Sequence, residues 1–151
     1  MSNSPSFSKH ARIKARRSAV QALYQCEMTQ AVTAEVIKEF IDERDEMKKA
    51  DKEYFSEILC GITGMIDELN NEMAPYLDRP VDELDPVERA VLHIGVYELL
   101  HRPEVPWRVV VNESVELAKM FGAEQSHKFI NGVLDKIARR VRITEISNAA
   151  L

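Results

Sequence analysis

Apolar residues recur every three or four positions along most of the chain, and no segment sustains the strict alternation of a half-buried strand. The valine run at 109–111 is too short to overturn its helical flanks. Five glycines and six prolines punctuate the sequence, most of them where a helix would end. The pattern predicts a first helix over Ser8–Thr29. At about 100° per residue, Ala11, Ala15, Ser18, Ala19, Ala22 and Cys26 share one face, and their small side chains allow a neighbouring helix to approach closely. Ile13, Val20 and Tyr24 form a second apolar strip, flanked by Arg16 and Arg17. A helix with two such strips sits between two neighbours or keeps one strip for a partner.

Thr33 is placed to cap a second helix, to about residue 44, and Asp51 a third that runs to 73 or 74. Pro75 and Pro80 break the pattern. Asp85-Pro86-Val87-Glu88 is the clearest start signal: Asp at the cap, Pro at the first helical position and Glu three residues after the cap. In the helix that follows, to about His101, apolar positions such as Ala90, Leu92, Ile94, Val96 and Leu99 go most of the way round, which marks it as central and buried. Beyond Pro103 and Pro106 another helix runs to Phe121 and stops at Gly122. Ser126 is placed to cap the last one, in which Phe129, Ile130, Val133, Leu134 and Ile137 keep helical spacing through Asn131-Gly132. The expected fold is all-α: residues 9–143 form one helical domain, with flexible ends at 1–8 and 144–151.

A chain of 151 residues, 45% of them hydrophobic, can bury about 70% of its unfolded surface. No apolar run approaches the ~20 residues of a bilayer span, and the polar, then charged N-terminus does not read as a secretory signal. A cytoplasmic protein without membrane contact is expected. Cys26 and Cys60 lack a CxxC or histidine context and are expected to be reduced, buried small hydrophobes, with no metal and no cofactor. His10, His93, His101 and His127 are dispersed; His93, on the buried helix, is expected to be a satisfied structural histidine. Phosphate-binding glycine loops and nucleophile elbows are absent, and the acidic groups 43–46 and 82–85 read as helix ends and caps. An enzyme is not expected.

Charge adds the functional signal. The first 26 residues hold Lys9, Arg12, Lys14, Arg16 and Arg17 and no acid, whereas the other 125 balance at −10 in a chain of net charge −5. Helix N-termini favour negative charge, so cations here without acids point outward to a polyanion. Lys9, Arg12 and Arg16 fall within roughly 60° of arc, with Arg17 and Lys14 further round. That irregular array, interleaved with His10 and Gln21, suits single-stranded RNA better than a regular groove. Arg139, Arg140 and Arg142 close the last helix, where cations complement the dipole.

Ala19-Val-Gln-Ala-Leu-Tyr24, Pro86-Val-Glu-Arg-Ala-Val-Leu92, Tyr97-Glu-Leu99, Asn112-Glu-Ser-Val-Glu-Leu-Ala-Lys119 and Phe129-Ile-Asn-Gly-Val-Leu-Asp135 together resemble the NusB family of transcription antitermination factors over residues 9–140. The resemblance implies two three-helix bundles packed as one compact domain. It also implies binding, without catalysis, of the boxA element of nascent ribosomal RNA as a heterodimer with the ribosomal protein NusE, in a complex with NusA, NusG and RNA polymerase. Its arginine-rich RNA-binding segment falls on Arg12, Lys14, Arg16 and Arg17, with Gln21 a turn later. A second RNA region falls on Phe121, Lys128 and Phe129, where core packing of the two aromatics weighs equally. The NusE-facing surface falls on Tyr24, Asp82 and Glu88. The basic run is interrupted by His10 and Ile13, and Glu88 carries two readings, capping box and partner contact. Two alternatives stay open. One is a helical module of the kind fused to ribosomal RNA cytosine methyltransferases, whose chains continue into a Rossmann-type cofactor fold. The other is a purely protein-binding adaptor.

Overall fold

The computed structural model describes residues 8–150, and side chains within 9–149. The described residues are all-α, and they divide into two compact units, Met1–Gly64 and Met65–Leu151. The expected flexible segment 1–8 lies outside the described residues, except for Ser8, where the first helix begins.

The first unit holds α1 (Ser8–Thr29), α2 (Thr33–Glu43), a 3-10 turn at Asp45–Met47 and α3 (Lys52–Gly64). These three helices pack on one another. The small-residue face of α1 is buried as its pattern requires: Ala15, Ala19 and Ala22 are fully covered and Ala11 nearly so. The close approach that these residues permit lets Asp51 N–H donate to the Ala11 carbonyl at 3.0 Å. Asp51 also caps α3, its carboxylate accepting from Tyr54 N–H at 3.0 Å. Phe40 and Phe55 stack with centroids 5.7 Å apart. Gln30, in the left-handed region at φ 60°, ends α1 by donating its N–H to the Cys26 carbonyl at 3.0 Å.

Several expectations need correction here. Thr33 does not cap α2: the cap position is Val32, without a side-chain bond. The Thr33 hydroxyl instead bonds the Cys26 thiol, whose pKa burial nonetheless pushes up. Neither cysteine is buried; Cys26 is half-exposed and Cys60 exposed. Val20 is buried and Ile13 half-buried, so only the Tyr24 end of the second strip reaches solvent. The single helix expected from 51 to about 73 is interrupted at Met65 (φ −140°, ψ 36°). The preceding Gly61-Ile-Thr-Gly64 has weak helix propensity, and Thr63 Oγ1 bonds back to the Leu59 carbonyl at 2.9 Å.

The second unit holds α4 (Ile66–Met73), 3-10 turns at Ala74–Tyr76 and Val81–Glu83, α5 (Pro86–His101), α6 (Trp107–Phe121), α7 (Ser126–Val141) and α8 (Ile143–Ala150). Helices α5, α6 and α7 pack mutually, with α4 against α5 and α8 against α7. The start signal at Asp85 is realised: its carboxylate accepts from Val87 N–H at 2.8 Å and Glu88 N–H at 3.3 Å. Every residue from Ala90 to Leu99 is buried. Gly95 allows a close approach: a Cβ there would lie 2.7 Å from Leu134 Cδ1 and 2.9 Å from Ser114 Oγ, so both side chains would have to shift. His93 Nε2 meets Asn70 Oδ1 at 2.7 Å, as a satisfied structural histidine should.

Residues expected to form a tail from 144 instead continue as α8. Glu145 explains this. It accepts from Arg142 Nη1 at 2.5 Å and from Trp107 N–H at 3.0 Å, capping α6, whose own cap residue Pro106 supplies no side chain for the task. Arg142 is itself buried and closes α5. Its Nε donates to the Leu99 carbonyl at 2.8 Å, and its Nη2 to those of Glu98 and Arg102 at 3.1 and 3.0 Å.

Candidate nucleic-acid interface

The cations of α1 separate into two groups. Arg16 is only 4% exposed and its guanidinium lies 5.6 Å from the Tyr54 ring centroid. Arg12 lies 4.1 Å over the same ring and pairs with Asp51 at 3.6 Å, yet keeps 30% of its side chain exposed. These two arginines brace α1 against α3. Lys9 and Arg17 are exposed and Lys14 half-exposed, and none of the three forms an ion pair among the described residues. The outward array is therefore Lys9, Lys14 and Arg17, with Arg12 at its edge. Gln21 is half-buried, and its Oε1 accepts from Arg44 Nη1 at 3.4 Å. Arg16, read from sequence as one of the ligands, belongs instead to the packing.

At the far end of α1, Tyr24 is 43% exposed, followed by Met28 at 48% and Val32 at 61%. Sequence reasoning found Tyr24 and missed the other two. Their spacing at 24, 28 and 32 was available as a signal, but the helix end at Thr29 conceals it.

In the second unit Lys128 is exposed, and Phe121 and Phe129 are half-buried, so neither aromatic is committed to the core. Arg79, which sequence reasoning also missed, has its guanidinium 5.4 Å from the Phe129 centroid. Asp82 is exposed on the Val81–Glu83 turn. The Glu88 carboxylate accepts from the Ser126 hydroxyl, which joins the start of α7 to α5. Ser126 thus serves α5 and does not cap α7, whose cap position is Gln125. The basic group closing α7 is engaged by neighbouring side chains and carbonyls, with Arg139 and Arg140 exposed and Arg142 buried. Arg139 bonds Asp135 at 2.9 Å, Arg140 bonds Glu72 and Tyr76, and Arg142 is the buried clamp described above. Among the described residues no group of three or more His, Cys, Asp or Glu could hold a metal ion, and no helix is long and apolar enough to cross a membrane.

Fold and surface point to an all-α protein whose first helix carries cations and no acid before Glu27, and which leaves Phe121 and Phe129 half-buried. The chain belongs to the NusB family, whose sequence profile matches residues 13–139. It is 48% identical over 145 residues to the transcription antitermination protein NusB of Alcanivorax borkumensis, covering 96% of this chain and 95% of that one. Among solved structures it resembles T. maritima NusB, with TM-score 0.75, 33% identity and coverage of 85% and 91% of the two chains. It also resembles a chain in the crystal structure of the antitermination factors NusB and NusE in complex with dsRNA, with TM-score 0.78, 29% identity and coverage of 87% and 98%.

Proposed function

We propose that this chain is a transcription antitermination factor that acts by binding, without catalysis. Its ligand is boxA-type single-stranded RNA in nascent ribosomal RNA transcripts, taken up as a heterodimer with NusE. The pair helps to assemble a cytoplasmic complex with NusA, NusG and RNA polymerase. The observation that carries this reading is the outward, acid-free array of Lys9, Lys14 and Arg17 on α1, in a chain of the NusB family. Bases are taken by Phe121 and Phe129, with Lys128 beside them, through stacking worth ~1–3 kcal/mol per base. Arg16 and Gln21 support the surface from within, and Arg12 contributes its exposed edge.

A single strand is preferred to a duplex because the three outward cations fan irregularly over roughly 140° of helix arc, which a flexible backbone can follow and a rigid duplex cannot. A solved NusB and NusE are held with double-stranded RNA, so the test compares both forms. BoxA-like single strands, scrambled strands and a duplex are titrated with and without NusE. The reading expects the boxA-like strand to bind best and NusE to tighten it; equal binding of all three would remove boxA as the ligand.

NusE is placed on Tyr24, with Asp82 and Glu88 as further contacts. Tyr24→Ala is expected to weaken NusE binding by about tenfold, as for a partly exposed aromatic anchor, while RNA affinity stays within about twofold. Calorimetry of both ligands checks this, and a larger loss for RNA than for NusE would reverse the assignment.

A further inference from the structure

Arg79 does not belong to a helix. It stands between the turns Ala74–Tyr76 and Val81–Glu83, where a long side chain would ordinarily wander. Here it is fixed. Asp78 accepts from its Nε at 2.9 Å and its Nη2 at 3.3 Å, a two-pronged fork that sets the guanidinium plane. The segment just beyond is pinned by Arg89, whose Nη1 donates to the carbonyls of Val81 at 3.0 Å and Leu84 at 2.9 Å. The guanidinium so placed lies over Phe129, on the first turn of α7, which the Glu88–Ser126 bond anchors to α5. The Arg79 side chain nevertheless remains 42% exposed.

The charge of Arg79 is largely spoken for. Asp78 pairs with it, and Glu83 and Glu88 add further negative potential. As a point charge for phosphate it is therefore weak. Its planar surface is not consumed, and guanidinium planes stack on nucleobases as aromatic rings do.

We propose that Arg79, oriented by Asp78, forms with Phe129 a stacking shelf that takes an unpaired nucleobase. This rests on the RNA reading above and adds to it a specific surface, with Asp78 as a positioning residue that does not touch RNA.

The test uses the full chain with NusE and a boxA-like single strand carrying 2-aminopurine at successive positions. Arg79→Ala is expected to lower affinity about tenfold and to abolish the 2-aminopurine quench at one position, with the slope of log K against log salt unchanged. Arg79→Lys, which keeps the charge and loses the plane, should lose nearly as much. Asp78→Ala is the sharpest arm: removing a negative charge should by itself strengthen RNA binding, yet the shelf predicts weakening by about threefold as the fork is lost. Wild-type affinity in Arg79→Lys, or a slope reduced by about 0.7 in Arg79→Ala, would make Arg79 a phosphate contact and overturn the shelf. Tighter binding by Asp78→Ala would remove its positioning role. Thermal melts identify any variant whose loss is one of folding, and the quench pattern at the other positions then decides. If wild type fails to bind RNA, the RNA reading falls and takes the shelf with it. If wild type binds and Arg79→Ala matches it, the shelf alone falls.

Discussion

Arg142→Ala is expected to destabilise the second unit by about 3–5 kcal/mol, the range for removing one member of a buried charged network. The size follows from what the guanidinium does. It is 6% exposed and serves three carbonyls at the end of α5, those of Glu98, Leu99 and Arg102, while fixing Glu145. Alanine leaves the Leu99 carbonyl without its side-chain donor in a place water reaches poorly, at about 1–3 kcal/mol, while those of Glu98 and Arg102 lose one of two donors and keep the N–H groups of Arg102 and Val105. It also frees Glu145, which caps α6 through Trp107 N–H. Arg142→Lys should rescue little, because one ammonium cannot reproduce the fork. Urea unfolding measures the loss, and a change below about 1 kcal/mol would mean the carbonyls find other donors.

Arg16→Glu is expected to cost the first unit on the order of 4 kcal/mol, through a buried charge of the wrong sign beside Tyr54. RNA binding would be lost with the fold, so the variant does not report on the interface. Arg16→Met separates the two effects. It retains the apolar stem that packs along Tyr54 and should cost about 1–2 kcal/mol, with RNA affinity reduced by no more than about threefold. Circular dichroism with urea unfolding checks both. A folded Arg16→Glu that has lost only RNA binding would return Arg16 to the list of direct ligands.

What could be read from sequence was whatever depends on residues close along the chain. Asp85-Pro86 announced α5 because cap chemistry is local, and the small-residue face of α1 followed from spacing alone. The failures share one cause, a partner distant in sequence. Ser126 has the composition of a cap, but its hydroxyl is taken by Glu88, 38 residues away. Arg16 and Arg17 are adjacent and chemically identical, yet Tyr54 covers the first and leaves the second in solvent. Arg142 closes a helix whose end lies 40 or more residues earlier. Even α8 was hidden, since the role of Glu145 depends on Trp107 and not on its neighbours.

The candidate interface was legible as a charge imbalance and only partly as residues. Five cations without an acid identified the helix. Only the packing of α1 on α3 divides them into braces and outward groups. Phe129 was placed by resemblance, whereas Arg79 carried no sequence signal because nothing in its neighbourhood predicts an aromatic 50 residues on.

Whether Lys9, Lys14 and Arg17 are the phosphate-binding surface is decided by the salt dependence of binding to a boxA-like single strand. Three contacts on single-stranded RNA contribute about −2 to the slope of log K against log salt, and a fourth, from Arg12, would bring the total to about −3. The triple Lys9→Gln, Lys14→Gln, Arg17→Gln variant, folded as judged by its melt, is expected to lose about two units of slope. An unchanged slope in that variant would contradict the assignment.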